Sequence, residues 1–90
     1  MATINFTQAL KRFYPQLNTL KIEAADVNEV IKVVEKQFPG IENYLIDDQR
    51  VLRKHVNIFV DGNLIKDREQ LTDTLTSESE VYIMQALSGG

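Results

Sequence analysis

The chain has 90 residues, 43% of them hydrophobic and 26% charged, which is the size and composition of one small globular domain. It contains no cysteine and one histidine, so disulfides, a thiolate nucleophile and thiolate or histidine-rich metal sites are excluded. The net charge of −3 comes from interspersed charges with no basic footprint for nucleic acid, and no apolar stretch reaches the roughly 20 residues that span a membrane.

The first half of the chain predicts two strands and a helix. Residues 3–7 alternate polar and apolar side chains, with Ile4 and Phe6 facing the core, and residues 20–24 alternate again. The connection at 8–19 has apolar anchors and a proline stop, so the two strands are expected to pair as a hairpin. Residues 1–5 lack the features of a signal peptide, and we therefore expect a cytoplasmic protein.

The clearest helix is predicted at residues 27–38. Asp26 can cap its start, and Glu29 three positions later resembles a capping box with aspartate in place of serine or threonine. Apolar residues at spacings of three and four form one stripe, and Pro39-Gly40 ends the helix. The stripe consists of Val27, Val30, Ile31, Val34 and Phe38.

The second half predicts the remaining strands. In chain order it contains a helical turn at 41–46, a turn at 47–49, a strand at 51–60, a turn at 61–62, a brief returning strand at 64–65, an irregular connection with Leu71 and Leu75 buried, and a final strand at 81–87. The fold class is therefore α+β, a mixed sheet of four to five strands with one main helix on one face. We assign residues 1–87 to the domain and residues 88–90 to a flexible tail.

The sequence offers no catalytic constellation. His55 begins a strand without an acidic or nucleophilic neighbour, and Asp47-Asp48 is typical of turn residues that cap the backbone. Gly40 and Gly62 are the only internal glycines, so there is no glycine-rich phosphate loop. We expect a protein that is not an enzyme and binds neither metal nor cofactor.

Strand alternation instead predicts an exposed apolar patch. If Val56, Ile58 and Val60 face the helix, then His55, Asn57 and Phe59 face the other side of the sheet, and Tyr82 and Met84 do the same on the last strand. An apolar patch of Phe59, Tyr82 and Met84 is typical of an interaction site. The alternative is that the loops at 8–19 or 41–50 cover these side chains.

The last strand runs directly into Ser88-Gly89-Gly90. Two glycines make a narrow stalk that suits a peptide entering another protein's active site. Taken alone, the tail is equally compatible with a flexible end or the remnant of a cloning linker.

Several segments together resemble the ubiquitin-like β-grasp sulfur carriers of the MoaD/ThiS family, over nearly the whole chain. They are the strand–strand–helix–strand order, Val56–Gly62, and Glu80–Ile83 leading to Gly89-Gly90. Segments 38–41 and 52–57 are most similar to the branch with carriers for cysteine biosynthesis in actinobacteria. The sequence departs from the family at 77–80, where an Asp-Gly-Asp turn is usual, and at Ser88, where alanine is common.

The resemblance implies a carrier whose Gly90 carboxylate is adenylated and then converted to a thiocarboxylate, with Ser88 and Gly89 keeping the tail slim. It implies an adenylating enzyme, which uses ATP and Mg²⁺, and a sulfur-accepting synthase as partners, with Phe59, Tyr82, Met84 and Leu87 at the interface. Two alternatives stay open: a ubiquitin-like modifier joined to lysines through Gly90, and a binding module or synthase subunit. The pathway, whether molybdopterin, thiamine, cysteine or another, is not specified by the sequence.

Overall fold

The computed structural model describes residues 1–85, in which one helix packs across a five-stranded mixed sheet. The strands are β1 (Ala2–Phe6), β2 (Leu20–Ile22), β3 (Val56–Val60), β4 (Asn63–Leu64) and β5 (Glu80–Gln85), and the helices are α1 (Gln8–Lys11), α2 (Val27–Gln37) and α3 (Glu42–Leu45). The strand order is β2-β1-β5-β3-β4. The middle strand, β5, runs parallel to β1 and antiparallel to β3. The predicted α+β fold is confirmed.

The N-terminal hairpin forms as its alternation predicts. β1 and β2 pair antiparallel, and Ile4 and Phe6 are buried on the face toward the helix. The connection between them is more ordered than its sequence indicates, because it begins with the short helix α1. Leu10 of this helix is fully buried, so a single apolar side chain fixes the turn against the core.

Helix α2 begins and ends close to the predicted positions. The Asp26 carboxylate accepts the backbone N–H of Glu29 at 2.9 Å, as an N-cap should. The Glu29 carboxylate in turn accepts the N–H of Ala25 at 2.9 Å, one residue earlier than the reciprocal bond of a capping box. Most of the predicted apolar stripe is fully buried against the sheet; these residues are Val27, Val30, Ile31 and Val34.

The turn after α2 is built around Gly40. The Glu35 carboxylate accepts the N–H groups of both Gly40 and Glu42, and so ties the end of α2 to the start of α3. Gly40 has a φ of +95°, which favours glycine, and a Cβ there would lie 3.0 Å from the Tyr14 hydroxyl oxygen. The helical turn predicted at 41–46 is present as α3.

The strand predicted at 51–60 is half as long as expected. Only Val56–Val60 is strand, while Leu52 makes an isolated bridge to Ile46. His55 therefore precedes the strand, and its predicted outward orientation is wrong: its Nε2 lies 3.3 Å from Nε2 of Gln85, a residue on the helix side of the sheet. Alternation could not be extended to His55, because the strand geometry begins one residue later.

The turn between β3 and β4 is confirmed. Asp61 and Gly62 both have positive φ, 51° and 85°, as an Asp-Gly hairpin turn requires. β4 comprises Asn63–Leu64 rather than 64–65, and Ile65 turns into the core. Before β5, the buried Ser79 hydroxyl accepts the N–H of Thr76 at 2.8 Å, and this hydrogen bond closes the turn that leads into the strand.

The core lies between α2 and the inner face of the sheet. The predicted anchor Leu71 is buried, and Leu75 packs against the core while partly exposed. None of the helices in residues 1–85 is long and apolar enough to cross a membrane.

Candidate docking face and the root of the tail

The outer face of the sheet, turned away from α2, carries one continuous apolar row. Register places Leu64 of β4 opposite Phe59 of β3, and Phe59 opposite Tyr82 of β5. Met84 follows two residues after Tyr82 on the same face of β5. We call Phe59, Leu64, Tyr82 and Met84 the outer-face patch.

The outer-face patch is open to solvent. Leu64 is 53% exposed, Tyr82 44% and Met84 39%, while Phe59 is half-buried between its neighbours. Phe59, Tyr82 and Met84 line an open groove of about 630 Å³, with Asn5 at its side. The loops at 8–19 and 41–50 therefore do not cover these side chains, and the structure brings the three predicted residues together. Their role in docking stays a prediction.

Leu64 is the member of this surface that sequence reasoning did not include. It stood within the predicted returning strand, and a two-residue Asp-Gly turn fixes the register of the hairpin around it. Counting back from the turn places Leu64 opposite Phe59 and therefore on the same face. That signal was present in the sequence.

The last described residue, Gln85, joins the end of β5 to three neighbouring segments. Its N–H donates to the Thr7 hydroxyl at 3.3 Å, and its side-chain Nε2 donates to the Tyr44 carbonyl at 3.4 Å and contacts His55. The Gln85 Oε1 atom is buried and accepts no hydrogen bond from residues 1–85. β5 is thus held at its end by side chains as well as by the sheet. Four predicted site residues, Leu87, Ser88, Gly89 and Gly90, lie outside the described residues.

The perturbed titratable groups lie away from the outer-face patch. Hydrogen bonds from the Thr72 hydroxyl and from the backbone N–H groups of Gln70, Thr72 and Glu69 hold the pKa of Asp67 below its usual value. Burial, with Tyr44 and Glu35 nearby, raises the pKa of Tyr14. Within residues 1–85, no group of three acidic or histidine side chains is placed to hold a metal ion.

The fold is similar to several solved small proteins of the ubiquitin-like β-grasp class. A chain of the Amycolatopsis orientalis BexX/CysO complex matches with a TM-score of 0.85 and 21% identity, covering 100% of both chains. CysO of Mycobacterium tuberculosis matches at 0.81 and 20%, covering 97% of this chain and 100% of that one. SAMP1 of Haloferax volcanii matches at 0.81 and 17%, covering 99% and 98%.

The family follows from the sequence. The model of the ThiS family matches residues 6–90, which is nearly the whole chain. The chain therefore belongs to the ThiS family, and its predicted resemblance to MoaD/ThiS-type ubiquitin-like sulfur carriers is confirmed. No curated protein sequence matches the chain significantly.

Proposed function

We propose that this protein is a sulfur carrier that acts as a protein co-substrate, with Gly90 as the reacting residue. The observation that carries the proposal is the match to the ThiS family over residues 6–90, which includes Ser88-Gly89-Gly90. The open outer-face patch supports it, because a carrier without its own catalytic groups must dock on the enzymes that act on it.

The chemistry needs only a carboxylate from this chain. An α-carboxyl has a pKa of about 3.3–3.7, so a terminal Gly90 is ionised at neutral pH. Its oxygen attacks the α-phosphate of ATP, pyrophosphate leaves, and an acyl-adenylate forms; the partner enzyme supplies ATP, Mg²⁺ and the alignment. A sulfur donor then displaces AMP, and the resulting thiocarboxylate hands its sulfur to an acceptor in a synthase.

The fold has two tasks in this scheme. Pairing on both sides holds β5 in the middle of the sheet, so the position of Gln85, five residues before Gly90, is fixed. Five extended residues can reach at most about 17–18 Å, which is enough to enter a buried site while the domain stays outside. Two members of the outer-face patch, Tyr82 and Met84, lie on the same strand, and the patch is suited to hold the domain during that step.

Intact-mass measurement tests the proposal. The protein is incubated with ATP, Mg²⁺, a sulfide donor and each candidate activating enzyme of its own organism, and the gain expected is about 16 Da as sulfur replaces oxygen. The starting mass must correspond to a chain that ends at Gly90. The variant that lacks Gly90 is the matched control and should gain nothing. Absence of the gain with the intact chain, across all candidate enzymes, would refute the proposal.

A second candidate function is protein modification through Gly90. The observation that favours it is the similarity to SAMP1, a protein named a small archaeal modifier. Both functions begin with the same adenylate, and they differ in whether the acceptor is sulfur or a lysine amine. Gly90 found in isopeptide linkage to cellular lysines identifies the modifier, whereas a free thiocarboxylate with no conjugates identifies the carrier.

A third hypothesis is a binding module or synthase subunit, and deleting Gly89 and Gly90 distinguishes it from a carrier. A binding module keeps its affinity for its partner after this deletion. A carrier keeps the affinity contributed by the domain but loses all sulfur transfer.

A further inference from the structure

A second exposed surface surrounds the end of β5, on the helix side of the sheet. Phe13, which follows α1, is 56% exposed and stacks on Tyr44 of α3, with ring centroids 4.7 Å apart and planes at 21°. Tyr14 contacts Tyr44 edge-on at 6.0 Å. Because the stack rests on a packed ring, Phe13 is a fixed aromatic anchor, and such residues commonly dominate the binding energy of interfaces.

This stack lies beside Gln85, the last described residue of β5. The Tyr44 carbonyl accepts the side-chain N–H of Gln85, and the hydroxyl of Thr7, just before α1, accepts the Gln85 backbone N–H. The outer-face patch lies on the opposite side of the sheet. The two surfaces therefore flank the end of β5 from different sides.

Four cations lie in two segments, one at the end of α1 and one directly before β3. Lys11 and Arg12 end α1, directly before Phe13. Arg53 and Lys54 precede β3, whose first residue pairs with Gln85, and the Arg53 Nε donates to the Asn43 carbonyl next to Tyr44 at 2.9 Å. We call Phe13, Tyr44 and these four cations the tail-root surface.

No carboxylate neutralises these cations within residues 1–85, where the one ion pair joins Arg50 to Glu42. The opposite end of β5 is acidic: the Asp61 carboxylate accepts the N–H of Glu80 there, at 2.9 Å. In this chain, whose net charge is −3, the four cations lie near the described end of β5, and Asp47 is the carboxylate that lines the same groove as Arg53 and Lys54. Such polarity orients a diffusing protein toward a negatively charged surface.

We propose that the tail-root surface docks on an acidic rim around the tail's entrance in the activating enzyme, with an apolar pocket for Phe13. This inference rests on the proposed function, because the enzyme that receives the tail must cover this end of the sheet. Arginine and aromatic side chains are enriched in protein interfaces, and complementary rim charges mainly set the association rate. Single-stranded RNA, which also binds aromatic and basic side chains, is the competing occupant.

Kinetics of adenylation test the inference. In Lys11→Gln/Arg12→Gln/Lys54→Gln, we expect KM for the carrier to rise about tenfold at low salt with kcat unchanged, and the difference to vanish near 0.5 M salt, where charges are screened. Lys32→Gln/Lys36→Gln/Lys66→Gln removes the same charge elsewhere and should leave KM within about twofold. Phe13→Ser should raise KM at both salt concentrations. If adenylation proceeds but the two triple variants have equal KM, the surface is refuted while the proposed function stands.

A binding experiment without enzyme distinguishes failure of this inference from failure of the proposed function. Amide shifts of the labelled protein are followed during titration with a ten-residue glutamate peptide and, separately, with a ten-nucleotide oligouridylate. Saturable shifts at Arg12, Phe13, Tyr44 and Lys54 with the peptide support an acidic protein surface as occupant. Tighter binding of the oligouridylate, or no shifts at these residues with either probe, overturns the assignment.

Discussion

Leu64 and Phe59 stand directly opposite each other across the β3–β4 hairpin, so both side chains emerge on the outer face of the sheet. Phe59 in turn stands opposite Tyr82 of the central strand. Cross-strand neighbours of this kind pack against one another, which keeps an apolar row ordered even though one side of it meets water.

This row yields the first prediction. Leu64→Ser should weaken association with the activating enzyme by about tenfold or more, because it removes a large apolar side chain from the proposed docking surface. Leu64 is 53% exposed, so the free energy of unfolding should change by no more than about 0.5 kcal/mol. Calorimetric titration measures the affinity, and urea unfolding checks stability. Lys32→Ser, on the exposed side of α2, is the control, and an equal affinity for both variants would contradict a docking role.

The second prediction concerns Arg68, which holds the segment before β3 in place. Its guanidinium donates to the carbonyls of Arg53 at 2.7 Å and Val56 at 2.9 Å, and to the Asn57 side chain at 3.2 Å. Arg68→Ala should lower the free energy of unfolding by about 1–3 kcal/mol, since it leaves these acceptors to water. Arg68→Lys keeps the charge without the planar fork and should recover only part of the loss. Urea unfolding measures both; full recovery by lysine would show that charge, not geometry, matters.

The third prediction separates two costs at Gly40. An alanine there meets both the positive φ of +95° and the Tyr14 hydroxyl at 3.0 Å, whereas at Gly62, with φ +85°, no atom lies within 4 Å of the added Cβ. Gly62→Ala should therefore cost about 1–2 kcal/mol from the backbone alone, and Gly40→Ala more.

A double-mutant cycle isolates the contact. In a Tyr14→Phe background the hydroxyl is absent, so Gly40→Ala should cost about as much as Gly62→Ala, a coupling of about 0.5 kcal/mol or more. Thermal and urea unfolding of the four proteins of the cycle supply the values. Additive effects would mean that the turn shifts to relieve the contact.

The fourth prediction is a pH dependence from Asp67. Its carboxylate accepts N–H groups of Glu69, Gln70 and Thr72 and the Thr72 hydroxyl, and its pKa is lowered in the folded state. A lowered pKa adds stability above the unfolded value of about 3.9, and that stability is lost as the pH falls through the folded pKa.

The difference in the free energy of unfolding between the unsubstituted protein and Asp67→Asn should therefore be constant from about pH 7 to 5 and become smaller below about pH 4. Carboxyl shifts in NMR give the pKa of Asp67 directly. Thr72→Val removes the largest cause and should move this pKa back toward its usual value. A difference in the free energy of unfolding that does not change with pH would exclude a lowered pKa of Asp67.

The sequence predicts best where one local rule acts alone. The apolar period and Asp26 locate α2 within one residue of its end, and the Asp-Gly pair locates the β3–β4 turn. The sequence does not predict the orientation of the His55 side chain or the presence of α1, because both depend on tertiary contacts. His55 turns toward Gln85, which is 30 positions away, and α1 forms around the single buried side chain of Leu10.

The candidate site divides in the same way. Alternation alone puts Phe59, Tyr82 and Met84 on one face, since it requires only that their strands be regular. The Phe13–Tyr44 stack joins residues of two irregular connections, and no sequence period relates them. A surface of this kind depends on the tertiary structure of the loops, which no local sequence pattern specifies.

The middle position of β5 has a consequence for how the protein is made. Every other described strand precedes it in the chain, yet β1 and β3 can complete the sheet only through it. Its partners in β1 lie more than seventy positions earlier, and such long-range pairing slows folding. A nascent chain that stops before residue 80 contains the strand pairs β1–β2 and β3–β4 but lacks the central strand that joins them. An incomplete chain therefore cannot form the native sheet, and a partner that recognises the folded domain cannot bind it.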